Sequence, residues 1–370
     1  MPQYRRGEKR CLESIGNGGS IPRVLEPLQA NADLPNATKR GTVLDPTTLS
    51  LERINEFPIW DLDPDLLNIG PLTVRFYGLL FAVGILLGYY LWRWQMDRGG
   101  HHRATTEKFM VWGVIAVLVG SRLGHCLFYE PEVYLRDPIR ILFIWQGGLA
   151  SHGATIGLIV TLWLYSKRYG FHVLEVMDRF AMSATMGATF VRLGNFMNSE
   201  IVGRVWDGPW AVRFPSYEHS LARELAVRSG ARIPFDPIAL PRHPSQLYEA
   251  LGGLAVFAML LIVDKIYGEK RPRGLLAALF MLGYFSFRFM VEFVKEYQVF
   301  LNITRVDELK MVFIAPTNQF DMGQYLSIPM LAIGLGFLIY AIKVRGPAAT
   351  LSPIVDVAEP QPAPKASKKK

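Results

Sequence analysis

Apolar residues along the chain gather into long continuous runs separated by polar stretches. Seven runs stand out, at 72–92, 109–128, 144–165, 174–197, 247–264, 274–293 and 324–342. Each is close to the ~20 predominantly apolar residues that a helix needs to cross a bilayer core. The pattern predicts an all-α integral membrane protein with seven transmembrane helices, of which the fourth and sixth carry internal charges. The longest polar stretch inside this array, 198–246, joins the fourth helix to the fifth. Within it, WDGPWAVRFP reads as a short strand bounded by turns, and LARELAVRSGA as a short amphipathic helix ending at Gly230. This stretch is expected to form a small extracytoplasmic cap. The two halves of the chain do not mirror each other as the halves of many transporters do.

The flanks differ from the centre. Residues 1–68 are polar, rich in Pro and Asn, and lack the apolar core of a signal peptide, so they read as a disordered N-terminal extension. Residues 69–345 hold the membrane domain. The tail, 346–370, ends in VDVAEPQPAPKASKKK, a composition that cannot build a core and reads as a disordered basic cytoplasmic tail.

A net charge of +8 over 370 residues invites a nucleic-acid reading, and the placement of the charge answers it. The connections 93–108, 166–173 and 265–273, with the stretch 343–370, hold 16 Lys and Arg in about 61 residues. The alternate connections 129–143, 198–246 and 294–323 hold 11 in about 94. Such alternation follows the positive-inside rule, with a cytoplasmic C-terminus. The basicity is topological, and no nucleic-acid partner is expected. Eight Lys and Arg in the N-terminal extension, on the side this rule places outside, are the one conflict. Two cysteines, Cys11 and Cys126, make no disulfide framework, and the histidines lack metal-ligand spacing with carboxylates. No metal and no cofactor is expected.

Ionisable groups inside spanning helices are costly and mark functional candidates. Helix two carries Arg122 and His125, helix three His152, helix four Arg192, and helix six Arg288 and Glu292. In the predicted topology Arg122, Arg192 and Arg288 lie about five or six residues from their outer helix ends, roughly 8–9 Å below the interface. Tyr77 and His152 enter the same layer from helices one and three. Several arginines at one depth suit an anion, since the guanidinium fork matches phosphate oxygens and stays charged when buried. Just under the outer headgroups, that anion is most simply a phospholipid phosphate. Plainer readings stand beside this one. Arg288 and Glu292 fit an i,i+4 ion pair, Arg122 helix packing, His152 a hydrogen-bonded core histidine and Tyr77 the interfacial aromatic belt. His101 and His102 fall in a cytoplasmic loop and read as solvated. RHPSQLYEA (242–250) looks like a helix start and brings His243, Gln246, Tyr248 and Glu249 in from the outer face.

The segments RLGNFMNSEIVGR (192–204), RHPSQLYEA (242–250), GGLASHGA (147–154), FRFMVEF (287–293) and GQYLSIPM (323–330) resemble, in order, the motifs of the prolipoprotein diacylglyceryl transferase family. The resemblance runs from about Ile69 to Ile342. It implies transfer of the diacylglyceryl group of phosphatidylglycerol to the lipobox cysteine thiol of a preprolipoprotein signal peptide, with release of glycerol phosphate. The implied location is the bacterial inner membrane, multi-pass, with the active site facing the outer leaflet. Carried onto this chain, the essential arginines fall on Arg192 and Arg288, the glutamate partner on Glu292 and the essential histidine on His152. Asn195, Asn198, Glu200, Gly203 and Arg204 match the rest of the signature, and Tyr77 and Tyr284 its aromatic positions. Many members read N-G-E where this chain has Asn198-Ser199-Glu200, and S-F-H-G-G where it has Ala150-Ser151-His152-Gly153-Ala154.

A free thiol has a pKa of about 8.5, so the implied displacement at a glyceryl carbon needs a base or cationic site to supply thiolate. His152 is the first candidate, with Tyr77 or Tyr284 sharing the role. Arg192 and Arg288 would hold the phosphate, and Glu292 would orient Arg288. Substrate contacts are also expected from His243, Gln246 and Glu249. An organic-anion transporter and a lipid-anchoring scaffold are the rival readings, and neither would form a thioether.

Overall fold

The computed structural model describes residues 50–70, 72–144, 148, 150–229, 238–296 and 322–344. The predicted tail and most of the N-terminal extension lie outside the described residues. The architecture is mostly helical. A short helix α1 (Leu51–Asn55) and an antiparallel hairpin of β1 (Asp65–Ile69) and β2 (Leu72–Arg75) lead into the long helices α2 (Phe76–Arg98) and α3 (Arg103–Phe128). After the small helix α4 (Pro131–Arg136) and a 3-10 turn (Pro138–Leu142) come α5 (Ser151–Tyr169) and α6 (Val173–Met197). Strand β3 (Val212–Arg213), helix α7 (Pro215–Ser229) and strand β4 (Pro241–Arg242) follow, then α8 (Ser245–Tyr267), α9 (Leu275–Val291) and α10 (Met322–Val344).

Five helices among the described residues are long and apolar enough to cross a membrane: Phe76–Arg98, Arg103–Phe128, Ser245–Lys270, Leu275–Val294 and Gly323–Val344. The other two predicted spans correspond to α5 and α6. Helix α6 carries Glu175, Asp178, Arg179 and Arg192, which lower its apolarity. Helix α5 begins at Ser151, not at 144, because the chain first turns through Gly148 at φ 73° and an extended Ala150. Outward-facing apolar side chains such as Leu86, Trp112, Ile159 and Ile339 remain 44–60% exposed, an arrangement suited to lipid contact rather than water.

Packing is closest where side chains are small. Helices α3 and α5 meet backbone to backbone, and a side-chain carbon added at Gly153 would lie 2.1 Å from the Gly120 carbonyl oxygen. Helix α6 packs on α2, where the Ser183 hydroxyl donates to the Gly88 carbonyl at 2.7 Å. At one end an aromatic cluster of Trp92, Phe109, Tyr165 and Phe171 joins α2, α3 and α5.

The segment between α6 and α8 folds as predicted in kind, with β3 inside the expected strand and α7 starting earlier than the expected helix. Strand β3 pairs with β4, and Phe196, Val202 and Phe214 form its core with Trp60, Tyr217 and Leu247. Part of the expected disordered extension is ordered here. The Trp60 amide donates to the Arg213 carbonyl at 2.8 Å, and the Trp60 indole donates to the Phe196 carbonyl at 3.0 Å. An indole of this size gains from burial once its N–H has a partner, so one tryptophan holds an otherwise polar segment against the β3–β4 pair and the end of α6. His101 also departs from its reading as a solvated loop residue. Its ring is buried against Phe171 and lies 3.2 Å from the Glu175 carboxylate, whereas His102 is exposed and caps α3.

Candidate active site

Helix α6 ends at Met197, and its last turns carry Arg192. The Arg192 Nε lies 3.1 Å from Glu249 Oε2, in the first turns of α8. The other oxygen, Glu249 Oε1, faces Arg288 Nη1 of α9 at 3.4 Å. Arg288 also contacts Glu292 directly, one turn further along the chain. Lys295 Nζ completes the group, 3.7 Å from both Glu249 and Glu292. Three cations surround two carboxylates, which leaves one surplus positive charge when Lys295 is protonated. Burial pushes the Lys295 ammonium down to about 7, with Glu249 opposing the shift and Arg288 and Arg192 adding to it. Isolated carboxylates in such a place would cost several kcal/mol each, and the reciprocal pairing offsets that cost.

Aromatic and amide groups frame the charges. Tyr284 sits within hydrogen-bonding reach of Arg192. Tyr77 packs over Gly194 and is close enough to Arg192 and Glu200 to feel both charges. Arg192 Nη1 donates to Asn195 Oδ1 at 3.3 Å. Helix α10 closes one side: a side-chain carbon at Gly323 would lie 2.7 Å from Arg288 Nη2 and 2.8 Å from the Glu292 carboxylate. A side chain there would push the Arg288 and Glu292 termini aside.

A second string of groups forms the rim. Asn198 Nδ2 donates to Glu200 Oε1 at 3.1 Å, and Gln246 Nε2 donates to the Glu200 carbonyl at 2.7 Å. The Gly203 amide donates to the His243 carbonyl at 2.9 Å, and the Arg204 guanidinium to the Lys295 carbonyl at 2.9 Å. The His243 ring stacks on Trp206 at 4.2 Å, and its Nδ1 lies 3.1 Å from the Tyr248 hydroxyl. Burial first and then the Arg204 charge bring His243 down to about 4, so its ring is uncharged near neutral pH. Ser199 and Ile201 hold φ of 53° and 56°, a left-handed conformation strained for both and most for the β-branched Ile201.

Of the sequence-predicted residues, Arg192, Arg288, Glu292, Glu249, Tyr284, Tyr77 and Asn195 come together. Asn198, Glu200, Gly203, Arg204, His243 and Gln246 lie along the rim. His152 does not join them: it stands exposed in the first turn of α5 and makes no hydrogen bond to the cluster among the described residues. Arg122 follows its packing reading. It donates to the carbonyls of Arg140 (2.7 Å), Ile141 (2.9 Å) and Gly148 (3.2 Å) and lies over the Tyr134 ring. The Arg288–Glu292 ion pair exists as the plainer reading has it, with Glu249 as an added partner. Sequence reasoning missed Lys295, and it quoted Gly323 only as the start of the GQYLSIPM segment.

The family model described as prolipoprotein diacylglyceryl transferase matches residues 64–340. This chain belongs to that family. Among its relatives is a phosphatidylglycerol–prolipoprotein diacylglyceryl transferase of Tolumonas auensis, 36% identical over 287 residues, covering 77% of this chain and 98% of the relative. A protein of the same name from Neisseria gonorrhoeae is 36% identical over 288 residues, covering 76% of this chain and 96% of its own. One from Bacteroides fragilis is 35% identical over 299 residues, with 77% and 96% covered. The family match contains every residue of the charge cluster and of the rim, whereas most of the N-terminal extension and the tail fall outside it.

Proposed function

We infer that this chain is a membrane transferase that moves the diacylglyceryl group of phosphatidylglycerol onto a prolipoprotein. The match over residues 64–340 carries the reading, because it spans the membrane helices and the site together. The charge cluster suits the chemistry. A phosphodiester brings one negative charge, and the cluster offers one surplus positive charge from side chains on α6, α9 and the turn after it.

In the reaction we propose, the phosphate lies against Arg192 and Arg288. The acceptor is the lipobox cysteine of a preprolipoprotein signal peptide. Its sulfur attacks the glyceryl carbon that bears the phosphate ester. The C–S bond forms as the C–O bond breaks, and glycerol phosphate leaves with the bonding electron pair. Arg192, Arg288 and Lys295 stabilise the charge that grows on the leaving oxygen, where preorganised donors act most strongly. Glu249 and Glu292 fix the guanidinium planes before substrate arrives. Tyr77, Tyr284 and Asn195 line the headgroup, and Asn198, Glu200, Gly203, Arg204, His243 and Gln246 shape the rim. The family motif makes His152, exposed in the first turn of α5, the group that takes the thiol proton. The assignment of these roles rests on the family's motif and on the grouping of charges.

We further propose seven spans, with α5 and α6 crossing beside the five more apolar helices, and the domain limits 69–345 for the transferase and 346–370 for the tail. The segment 198–246 then forms the extracytoplasmic cap, joined by the ordered residues before 69. Positive-charge placement supports a bacterial inner-membrane protein with its site toward the outer leaflet and its C-terminus in the cytoplasm.

The test is a reconstituted assay. Purified full-length protein in phosphatidylglycerol vesicles, given a lipobox peptide, is expected to yield a thioether-linked diacylglyceryl peptide and equimolar glycerol phosphate. Arg192→Ala is expected to fold and lose transfer about 100- to 1000-fold, the usual cost of removing one transition-state donor. No thioether from the wild-type chain would overturn the function, and near wild-type transfer by Arg192→Ala the assignment of the arginine.

A further inference from the structure

The charges that the site uses are carried by helices whose opposite ends meet in a second buried ion network, to which the reaction assigns nothing. Arg98 at the end of α2 grips Asp264 at the end of α8 through two bonds of 2.5 and 2.6 Å, and its Nε reaches Glu269 at 2.9 Å. Arg271 binds the same Asp264 at 3.0 Å. Arg179 of α6 donates to the Gln95 carbonyl of α2 at 2.5 Å and to Glu269 at 2.8 Å. Asp178, also of α6, accepts the Gly274 amide at 2.7 Å and the Ala277 amide at 2.8 Å. Those are the N-cap and third positions of α9, so a carboxylate from a neighbouring helix caps α9 in place of its own residue. Asp178, Arg179, Asp264 and Arg271 are each at most 2% exposed.

Each helix that enters this network also enters the site. Helix α2 brings Tyr77, α6 Arg192, α8 Glu249 and α9 Arg288. From Asp178 to Arg192, from Asp264 to Glu249 and from Ala277 to Arg288 the helical path is roughly 16–22 Å. We infer that the network is a register clamp, and that Asp178 and Asp264 are positioning residues for the transferase site. A one-residue slip of α9 against α6 would move Arg288 by about 1.5 Å and swing it about 100° away from Glu249. Apolar helix faces tolerate such slips because any apolar neighbour is as good as another in lipid. Directional ion pairs at four helix ends do not, and register is the best-attested use of buried polar groups. The inference rests on the proposed transfer reaction for its activity readout only.

The test uses two variants of the full chain. Asp178→Asn turns an acceptor toward one α9 amide and a donor toward the other. Arg98→Met with Asp264→Leu removes both charges of the main bridge and leaves Arg271 its contact with Glu269 at 3.6 Å. Each is made also with spin labels at the exposed Leu251 of α8 and Met290 of α9, in a background lacking Cys11 and Cys126. The expected result is folded protein whose label distance shifts or broadens by about 1.5 Å or more. Turnover should fall about 10- to 100-fold, as a misplacement near 1 Å can cause, with a smaller change in KM for phosphatidylglycerol. Folded variants with wild-type distances and turnover would overturn the clamp. So would activity lost only in proportion to the folded fraction. A wild-type chain without transfer would fail the reaction but leave the distance arm to judge the clamp.

Discussion

Glu249 is the residue on which the charge cluster turns, and Glu249→Gln is its cleanest perturbation. The amide keeps the shape of the side chain and removes one negative charge. In the wild type, Arg192, Arg288 and Lys295 lie 3.1, 3.4 and 3.7 Å from its two oxygens. At an effective dielectric near 20, each cation–carboxylate pair at such distances is worth about 4 kcal/mol before desolvation. Three pairs cannot simply be summed, because the carboxylate also loses its hydration. Removing one partner from a buried pair typically costs about 3–5 kcal/mol, since the remaining charges stay buried and uncompensated. The surplus positive charge rises, so the ground-state phosphodiester is held at least as tightly. The guanidinium planes, however, lose the carboxylate that sets them. The expected outcome is a KM for phosphatidylglycerol that is unchanged or lower, a turnover reduced about 100-fold, and a lower melting temperature in detergent. Steady-state transfer to a lipobox peptide, with melting followed in parallel, measures all three. A turnover within threefold of wild type, with KM raised, would mean that Glu249 binds substrate directly and does not preset the arginines.

Three further outcomes follow from the same geometry. Lys295 loses its charge as pH rises through about 7, so the cluster weakens on the alkaline side. Lys295→Arg stays charged, and the ratio of variant to wild-type kcat/KM should climb above pH 7; a flat ratio refutes a titrating lysine. His152→Gln should lower turnover and regain part of it at high pH, where the acceptor thiol ionises unaided; a deficit constant with pH would make His152 a positioning group. Ser199→Gly relieves a left-handed serine at φ 53° and should stabilise the folded protein by up to about 1 kcal/mol, read as a higher melting temperature; a lower one would show that the hydroxyl is needed.

Much of this architecture is written in local pattern. Apolar run length alone outlines α2, α3, α8, α9 and α10, because a bilayer demands ~20 apolar residues and little else. The same criterion weakens at α6, where four ionisable residues interrupt the run, and at the start of α5, where a left-handed glycine ends the loop. Arg192 and Arg288 were legible as candidates because buried charge is rare in a span. Their meeting through Glu249 was not, since Glu249 comes from a helix start that periodicity treats as an ordinary cap. Lys295 was hidden for a related reason. Its position depends on a backbone bridge to Gly203, a pairing between segments about 90 residues apart that no local spacing encodes. His101 was misread because a loop position says nothing about which distant carboxylate waits beside it.

That bridge also explains why the segment after α6 and the charge cluster cannot be separated. The Arg204 amide donates to the Val294 carbonyl at 2.8 Å, and the Glu296 amide donates to the Val202 carbonyl at 3.2 Å, one on each side of Lys295. Arg242 of β4, fully buried, holds Glu296 at 2.7 Å and Glu218 at 2.7 Å. The lysine that completes the charge cluster is therefore held by the backbone of Val202–Arg204, and the ion pair of Arg242 fixes the residue that follows it. A polar group at the end of an apolar helix would ordinarily turn toward water. Here the strand-like pairing removes that freedom, because the backbone on both sides is already committed to hydrogen bonds that burial makes costly to leave unmade. The strain at Ser199 and Ile201 fits the same logic. The chain must reverse sharply after α6 so that Gly203 and Arg204 arrive beside Lys295 while Arg192 remains in register with Glu249. The left-handed turn joins the two halves of the site, and its tightness is what lets one helix end serve both.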